Sequence, residues 1–518
     1  MTTGGDAGRG AGRGAGDGDG PGRSAIGLAR PVLALVAALL GAVGAVGAVL
    51  WLTADRDVVV EGNQFVNPTG PIDAHNSPST ARNPLDPDNL VVVSRVDRPE
   101  FRALLHWTVD GGGTWRTTSL PLPEGLDRPY APDAAFTADG ILYVTYVNLT
   151  GPGNVPDNLW IARSDDGGQS LTQVGRVAGE LAFQARVVIA PDGAIHVTYL
   201  QATDVGTLQL VGEAPIVAVR SDDGGRTFSQ PTRVSDPDRQ RVGAASPVVD
   251  AAGDLVVVYQ DFKGDVRDFQ NLEGPAWDQP FALVVTRSGD RGRSFSEGTE
   301  IDSEVVPTER FLVFTPAFPS IAARPGGGLI AVWADGRNGD RDVFLRRSPD
   351  GRSWSGLTRV NNNPADDGTD QYLPQAAVSP DGRVDVVFYD RRRDPQNVMT
   401  DVFLASSPDA DQPFRNVRVS SASFDSRVGP QAAPHLPVDF GSRLGLDSWD
   451  AAALAVWTDT RLGDEATGRQ DLVAAQVRMP DRDALAVRRT VTLGALAGSV
   501  VALTAWWLLG ARRRHSGA

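Results

Sequence analysis

Short apolar runs separated by polar turns dominate the middle of the chain. Seven of these runs contain four to six residues and are rich in Val, Leu, Ile and aromatic residues. Runs of this length and composition, bounded by turn residues, are typical of buried β-strands. They lie at Leu90–Val93, Ile141–Tyr146, Ile195–Tyr199, Leu255–Tyr259, Leu329–Trp333, Val384–Tyr389 and Ala453–Trp457. No long segment between them has helical periodicity, so the pattern predicts an all-β domain.

Each apolar run is the second strand of a repeated four-stranded unit. Around Asp350, strands are predicted at 319–323, 329–333 and 342–346, and Trp354 opens the fourth. The last unit has a third strand at 471–477 but no fourth strand before the chain becomes uncharged. We expect the unassigned strand Val58–Val60 to fill this place, because such closure leaves few exposed sheet edges.

A recurring turn sequence connects the third and fourth strands. Residues 221–228 read S-x-D-x-G-x-x-F, in which Asp and Ser can bond to nearby backbone groups and Gly supplies the positive φ of a turn. The copies recur about every 60 residues, which is the period of a stacked supersecondary unit. Their key residues are Asp110, Asp166, Asp223, Asp290 and Asp350, with a degraded copy at Asp409.

These turns resemble the Asp-box, or BNR, repeats of the sialidase-like β-propellers, over about residues 58–478. The resemblance implies a propeller domain at 54–480. The apolar runs predict seven blades, and six, the number in classical sialidases, is the alternative. In this family the Asp boxes are structural turns on the face away from the ligand, so the five aspartates are expected to have structural roles.

Loops between strands two and three form the ligand face in this family. An acid–base motif recurs there, at Asp335 and Arg337, Asp390 and Arg392, and Asp459 and Arg461, with Asp261 and Lys263 as a variant. One interpretation is a site for an acidic sugar, because guanidinium groups bind carboxylates in bidentate fashion. The other is that the pairs connect neighbouring blades, which the repetition of the motif in register favours.

Sialidases combine an arginine cluster for the substrate carboxylate with a Tyr nucleophile, its carboxylate partner and an Asp acid/base. By this resemblance Tyr389 is a candidate nucleophile, and Tyr372 and Tyr130 are further tyrosines near predicted loops. The family's Phe/Tyr-Arg-Ile-Pro arginine has no counterpart, since residues 101–104 read F-R-A-L. The expected function is an exo-sialidase or related glycoside hydrolase acting on cell-surface glycans. The alternative is a non-catalytic propeller that binds a glycan or a protein.

Two uncharged runs flank this region, Pro31–Thr53 with 23 residues and Thr490–Gly510 with 21. Each is long enough to cross a bilayer as a helix, although the first is also compatible with a cleaved signal peptide. Arginines near both chain ends predict cytoplasmic termini and an extracytoplasmic propeller at the cell membrane. Residues 1–30 are predicted to be a disordered tail, 481–489 a linker and 511–518 a basic tail.

The amino-acid composition further limits which partners and cofactors the chain is expected to bind. The net charge of −15 argues against a nucleic-acid partner. With no Cys there is neither a disulfide nor a thiolate metal site. The five His have no metal-ligand spacing, so no cofactor is predicted. Clustered acids such as Asp86 and Asp88 are compatible with Ca²⁺, but no loop has the spacing of a known calcium motif.

Overall fold

The computed structural model describes residues 31–45, 58–480 and 493–508, except 69, 152–153, 204–213, 240, 264–278, 308–316, 431–437 and 496. Two compact units emerge, one from Val58 to Met479 and the other from the two chain ends. The first unit is a β-propeller: its described strands form seven sheets of four or five strands each. The prediction of an all-β, seven-bladed propeller is therefore confirmed, and the six-bladed alternative is wrong.

The blades are antiparallel meanders whose strands we number in chain order. The first strands are β3 (His75–Arg82), β7 (Pro129–Phe136), β11 (Ala182–Ile189), β15 (Val242–Val249), β19 (Ser320–Ala323), β23 (Gln371–Val378) and β28 (Gly445–Trp449). The second strands are β4 (Leu90–Val96), β8 (Leu142–Thr150), β12 (Ile195–Gln201), β16 (Leu255–Asp261), β20 (Leu329–Asp335), β24 (Val384–Asp390) and β29 (Ala452–Asp459). All seven predicted apolar runs fall on second strands.

The third strands are β5 (Arg102–Thr108), β9 (Val155–Ser164), β13 (Ile216–Ser221), β17 (Phe281–Ser288), β21 (Asp342–Ser348), β25 (Met399–Ser407) and β30 (Asp471–Arg478). The fourth strands are β6 (Arg116–Ser119), β10 (Thr172–Ala178), β14 (Thr232–Arg233), β18 (Thr299–Val305), β22 (Thr358–Arg359), β26 (Arg415–Arg418) and, closing the last blade, β1 (Val59–Val60). Two short additions are β2 (Gln64–Phe65) beside β30 and β27 (Phe424–Asp425) beside β25.

The ring closes as the sequence predicts. Val59 pairs with Arg478 and Val60 with Val477, so the first strand of the domain completes the last blade. Glu61 N adds a further bond to Gln476 O at 2.9 Å. The strand-four prediction needs one correction: Trp354 lies in the turn, and the strand starts only at Thr358, once the turn has been closed by its own hydrogen bonds.

Hydrophobic packing lies between blades rather than within them. Each of seven clusters of buried apolar side chains in the described residues joins two neighbouring blades. The cluster that closes the ring joins Leu90 and Val92 of the first blade to Leu454 and Val456 of the last. Second strands are therefore buried on both faces, which explains why they are continuous apolar runs and do not alternate with polar residues.

First strands pack against the first strands of neighbouring blades and so surround the axis. Five of them contain a β-bulge near the start, each with one residue at positive φ: Ser77, Ala131, Gln184, Ala244 and Leu373. A bulge re-aims the side chains beside it and is common next to functional sites. These bulges lie at the end of the propeller where second strands finish.

The second unit contains helical residues at 31–45 and 493–508. Ser499 Oγ lies 3.3 Å from Ala37 O, and a β-carbon at Gly498 would lie 2.9 Å from the side chain of Leu40, so small residues bring these helices together. Among the described residues no helix is both long and apolar enough to cross a membrane. The prediction of two transmembrane helices is thus unsupported, and the rest of both predicted runs, the tails and the 481–489 linker lie outside the described residues.

Candidate functional site

In each acid–base motif predicted as part of the site, the arginine pairs with the aspartate of the same motif. Asp335, Asp390 and Asp459 are at most 1 % exposed, at the ends of second strands. Arg337, Arg392 and Arg461 each bond back to their own aspartate, with Nη2–Oδ2 distances of 2.6 Å in all three pairs. The structure does not bring the three pairs together, because each neutralises its charge within its own turn.

The arginines also reach the preceding blade. Arg337 Nη2 lies 3.0 Å from Asp302 Oδ1 on β18, and Arg392 Nη1 lies 2.5 Å from Asn362 Oδ1 in the loop after β22. Arg461 Nη1 lies 2.7 Å from Ser421 Oγ, which follows β26. Each contact joins one blade to the outer part of the one before. The geometry favours the interpretation in which these pairs connect blades.

The Asp261–Lys263 variant follows the same plan with different partners. Arg239 Nη1 bonds Asp261 Oδ2 at 2.7 Å, and Lys263 Nζ bonds Ser303 O at 3.1 Å. Most of the connection between β16 and β17, residues 264–278, lies outside the described residues.

Tyr389 is not placed as an accessible nucleophile. It is 0 % exposed, and its hydroxyl donates to Thr458 O at 3.1 Å and accepts from Thr458 N at 3.0 Å. Burial raises its pKa well above the usual value. Tyr372 is also buried and pairs with Thr400 Oγ1 at 3.1 Å. Tyr389 therefore joins the sixth blade to the seventh, whereas Tyr372 bonds within the sixth.

The five turn aspartates bond to backbone and hydroxyl groups of their own turns. In the first turn, Asp110 Oδ1 accepts from Thr114 N at 2.9 Å and from Thr108 Oγ1 at 2.6 Å. These hydrogen bonds hold the pKa of Asp110 at about 2. The pattern recurs at Asp166, Asp223, Asp290 and Asp350. The turns join third to fourth strands, at the opposite end of the propeller from the bulges.

A different set of polar residues gathers at the axis beside the bulges. Arg95, at the end of β4, bonds the side chain of Asn76 on β3 and the carboxylate of Asp439. Arg95 Nη2 also lies 3.3 Å from Asp97 Oδ2, while Asn76 Nδ2 donates to the same oxygen at 2.7 Å. Tyr130 Oη, from β7, donates to Asp97 Oδ1 at 2.6 Å. A tyrosine–carboxylate pair therefore lies beside a buried arginine.

Two further arginines complete this axial cluster around Asp133 of β7. Arg186 Nε, from β11, bonds Asp133 Oδ2 at 3.0 Å, and Arg443 Nη2 lies 3.9 Å from Asp133 Oδ1. Ser79 Oγ donates to the same Oδ1 at 2.6 Å. The cluster thus draws on the first, second, third and seventh blades. Unlike the repeated acid–base turns, it is asymmetric.

Burial sets the electrostatics of the axial cluster. It raises the pKa of Asp97 and raises that of Tyr130 well above its usual value. Burial, with the like charges of Arg186 and Arg95, lowers the pKa of Arg443 to about 9. Arg443 is 8 % exposed, and its Nε has no hydrogen-bond partner within the described part of the chain.

Only part of the cluster faces solvent. Tyr130, Arg186 and Asp439 are half-buried, whereas Arg95, Asp97, Asp133 and Arg443 are buried. The partly exposed members of the cluster are therefore a phenol, a guanidinium and a carboxylate. Such a set can bind an anion through Arg186 and can transfer a proton between Tyr130 and Asp97.

Sequence reasoning named Tyr130 only as one available tyrosine and missed its partners. The signal lies in the first strands, where a positive-φ residue is followed by Pro or Ala and then a polar side chain. This pattern occurs at Ser77–Ser79, Ala131–Asp133, Gln184–Arg186, Ala244–Ser246 and Leu373–Gln375. The polar residue of each triplet follows the bulge and points at the axis in the first three blades, where it joins the cluster.

Among the described residues no set of three or more His, Cys, Asp or Glu side chains has a metal-binding arrangement.

Fold and site together define a seven-bladed propeller with an axial arginine–tyrosine–carboxylate cluster. No family model and no curated protein matches the sequence. Similar solved structures include a protein of unknown function from Dyadobacter fermentans, 12 % identical over 82 % of this chain and 99 % of that one, with a TM-score of 0.46. They also include an ulvan lyase of a new polysaccharide lyase family, 11 % identical over 78 % and 94 %, TM-score 0.46.

A further similar structure is the endosialidase of phage phi92, 13 % identical over 83 % of this chain and 70 % of that one, again with a TM-score of 0.46. At these identities and TM-scores, the likenesses carry no argument about the chemistry of this chain.

Proposed function

We propose that this propeller acts on carboxylated glycans as a glycoside hydrolase of exo-sialidase type, with its site at the axial cluster. The observation that carries the proposal is the 2.6 Å hydrogen bond from Tyr130 Oη to Asp97 Oδ1, beside three arginines of the same cluster. The acid–base turns, including Arg392, are not part of the proposed site.

In this scheme the arginines hold the substrate carboxylate. Arg186 is partly exposed, and Arg443 retains a donor without a partner among the described residues. A guanidinium in a buried site binds a carboxylate more strongly than it would in water, because the local dielectric constant is lower. The arginines would orient the sugar so that its anomeric carbon meets Tyr130.

Tyr130 is the proposed nucleophile and Asp97 its base. Asp97 accepts the phenol proton while Tyr130 Oη forms a bond to the anomeric carbon. The glycosidic C–O bond breaks, and the leaving oxygen takes up a proton from solvent. Because burial raises the pKa of Asp97, its ionised form is a stronger base than an exposed aspartate. Water then attacks the anomeric carbon, the bond to Tyr130 Oη breaks, Tyr130 regains its proton from Asp97, and the proton lost by the water passes to solvent.

The test is turnover of a fluorogenic sialoside by the full-length protein. Its phenolic leaving group departs without a proton, so the assay does not depend on the identity of the acid. Tyr130→Phe is expected to lower kcat by roughly 10³-fold or more, and Asp97→Asn by about 10²–10⁴-fold. Tyr372→Phe, which removes a buried hydroxyl elsewhere, is the matched control and should retain activity. A Tyr130→Phe variant as active as the wild type would exclude this mechanism.

A non-catalytic glycan-binding propeller is the second candidate. It is favoured by the internal pairing of the cluster, in which Arg95 faces two carboxylates and Asp133 faces two guanidinium groups. A folded protein with no turnover that nevertheless binds acidic glycans on an array, and loses that binding in Arg186→Ala, would establish it.

We also propose that the two uncharged runs, which extend beyond the described helices, tether the propeller to the outer face of a cell membrane. The absence of Cys from the chain makes the test direct. Single cysteines at exposed Asp238 and at Ser516 are labelled in intact cells with a membrane-impermeant maleimide. Labelling at 238 alone is expected; labelling at both, or carbonate extraction of the protein from membranes, would refute the tether.

A further inference from the structure

Two loops at the junction of the fifth and sixth blades are crowded with buried oxygens. The loop before β21 carries Asp340, and residues 360–370 connect β22 to β23. Asn361 Nδ2 lies 2.6–2.7 Å from three oxygens: Asp342 Oδ1, Asn363 Oδ1 and Gln371 Oε1. An amide nitrogen carries only two protons, so acceptors outnumber donors here.

One carboxylate oxygen in this junction has no partner. Asp340 is 8 % exposed, and its Oδ1 is buried without a hydrogen bond to any described residue. Its Oδ2 accepts from Gly368 N at 2.8 Å. A buried, unsatisfied acceptor is costly and calls for a specific explanation.

A neighbouring carboxyl group makes this arrangement less favourable still. Asp367 lies within hydrogen-bonding reach of Asp340. Its own oxygens accept from Thr369 N at 3.0 Å and from Asn363 Nδ2 at 2.9 Å. Two ionised carboxylates at this separation repel each other unless a cation or a shared proton lies between them.

The basic residues of the junction are engaged elsewhere. Arg359 pairs with Asp342 at 3.2 Å, and Arg341 and Arg391 both pair with Asp370 at 3.3 and 3.2 Å. No arginine or lysine in the described part of the chain forms an ion pair with Asp340 or Asp367. Within the described residues, their two charges therefore lack a counter-ion.

The backbone holds the two loops close to each other. Gly339 has φ +110°, and a β-carbon there would lie 2.3 Å from a carboxylate oxygen of Asp366. Only a glycine permits this approach, which brings the acidic residues of 366–367 against the Asp340 turn. The oxygens are thus gathered by the fold and not by flexible side chains alone.

We propose that this junction binds Ca²⁺ through the carboxylates of Asp340 and Asp367, with neutral amide, backbone and water oxygens completing the shell. Ca²⁺ suits an irregular set of oxygen ligands, whereas Mg²⁺ requires near-ideal octahedral geometry and Zn²⁺ prefers nitrogen and sulfur. With two carboxylates rather than three or four, the affinity is expected in the range of extracellular modules, with Kd on the order of 10⁻⁴–10⁻³ M. The ion would join the two loops and stiffen the boundary between blades.

The test is calorimetric titration of the metal-free, full-length protein with CaCl₂, alongside sensitised Tb³⁺ luminescence. Wild type is expected to bind one Ca²⁺ at this junction and to show a rise in Tm on adding Ca²⁺. Asp340→Asn, which keeps the shape but removes a charge, should weaken binding by about tenfold or more. Asp238→Asn, which removes an exposed carboxylate in another loop, is the matched control and should bind as wild type does.

Circular dichroism establishes that Asp340→Asn is folded before its affinity is compared. Should that variant unfold, Asp367→Asn takes its place with the same expectation. No binding to wild type at millimolar Ca²⁺ would overturn the proposal and leave a shared proton between the carboxyl groups. Equal binding by wild type and a folded variant would overturn it as well.

Discussion

Replacing Arg392 by alanine leaves the Asp390 carboxylate buried without its counter-charge. The aspartate is 0 % exposed, and Arg392 supplies it with hydrogen bonds from its backbone N at 2.8 Å and from Nε at 2.7 Å. The guanidinium also reaches Asn362 and Asn416 and covers the ring of Phe403 at 4.3 Å. Only the backbone bond to Asp390 would survive the substitution.

The expected loss is about 3–5 kcal/mol of stability at pH 7, the range for breaking one partner of a buried ion pair. Protonation of Asp390 limits this cost. Burial already raises its pKa in the wild type, and removing Arg392 raises it further. A carboxyl group whose folded pKa exceeds its unfolded value binds protons more tightly when folded, so it destabilises the fold as pH rises. The deficit of the variant should therefore shrink between pH 7 and pH 5.

Thermal unfolding of the full-length protein at both pH values measures this effect. Arg393→Ala is the matched control: Arg393 is 53 % exposed and lies 3.8 Å from Asp401, so its loss should cost less than about 1 kcal/mol. The reasoning fails if Arg392→Ala is as stable as Arg393→Ala, or if its deficit grows at lower pH. A stable variant that has lost glycan binding would instead return Arg392 to the functional site.

Three further predictions concern the ring, a buried histidine and the turns. Glu61→Pro removes the bond to Gln476 O and should lower Tm by several degrees. Glu61→Gln keeps the N–H and loses only the exposed ion pair with Arg478, so it should change Tm far less; equal effects would show that this closing hydrogen bond adds no stability. Burial lowers the pKa of His75 to about 3, so the unfolded chain binds a proton at this histidine more readily than the folded protein does. The free energy of unfolding should therefore be highest above pH 6.5 and decrease as the pH falls towards 3. Urea titrations in which His75→Gln retains the wild-type slope would contradict this. Hydrogen bonds from Thr227 lower the pKa of Asp223 to about 2. Asp223→Asn should therefore lower Tm at pH 7, and the difference in Tm from the wild type should decrease as the pH falls from 4 to 2. A difference in Tm that does not change with pH would contradict this.

Most of the fold could be predicted from local sequence patterns. Second strands are buried on both faces, so each is an apolar run that is visible without any knowledge of its neighbours. The turn aspartates are equally visible, because their partners lie within four residues of them. The strand that closes the ring could be predicted by elimination, because Val58–Val60 had no other sheet to join.

The axial cluster could not be found in the same way, because its members meet only through the ring. Arg95 and Asp439 are 344 residues apart, and no local spacing connects them. The acid–base turns attracted attention because they repeat, yet repetition in register is what a contact between blades produces. The bulges that aim Asp133 and Arg186 at the axis depend on positive-φ backbone at residues that are not glycine. In the sequence only the Pro or Ala after each of these residues marks them.

The pairing of β1 with β30 has a mechanical consequence. Because the strands are antiparallel and Val59 pairs with Arg478, the chain enters and leaves the propeller at the same end of this ladder. A force that pulls the two ends apart would load the hydrogen bonds one after another and not all at once. The hydrogen bonds between β1 and β30 would therefore break in sequence and at low force. The other six blades would carry no load until this pairing in the last blade had broken.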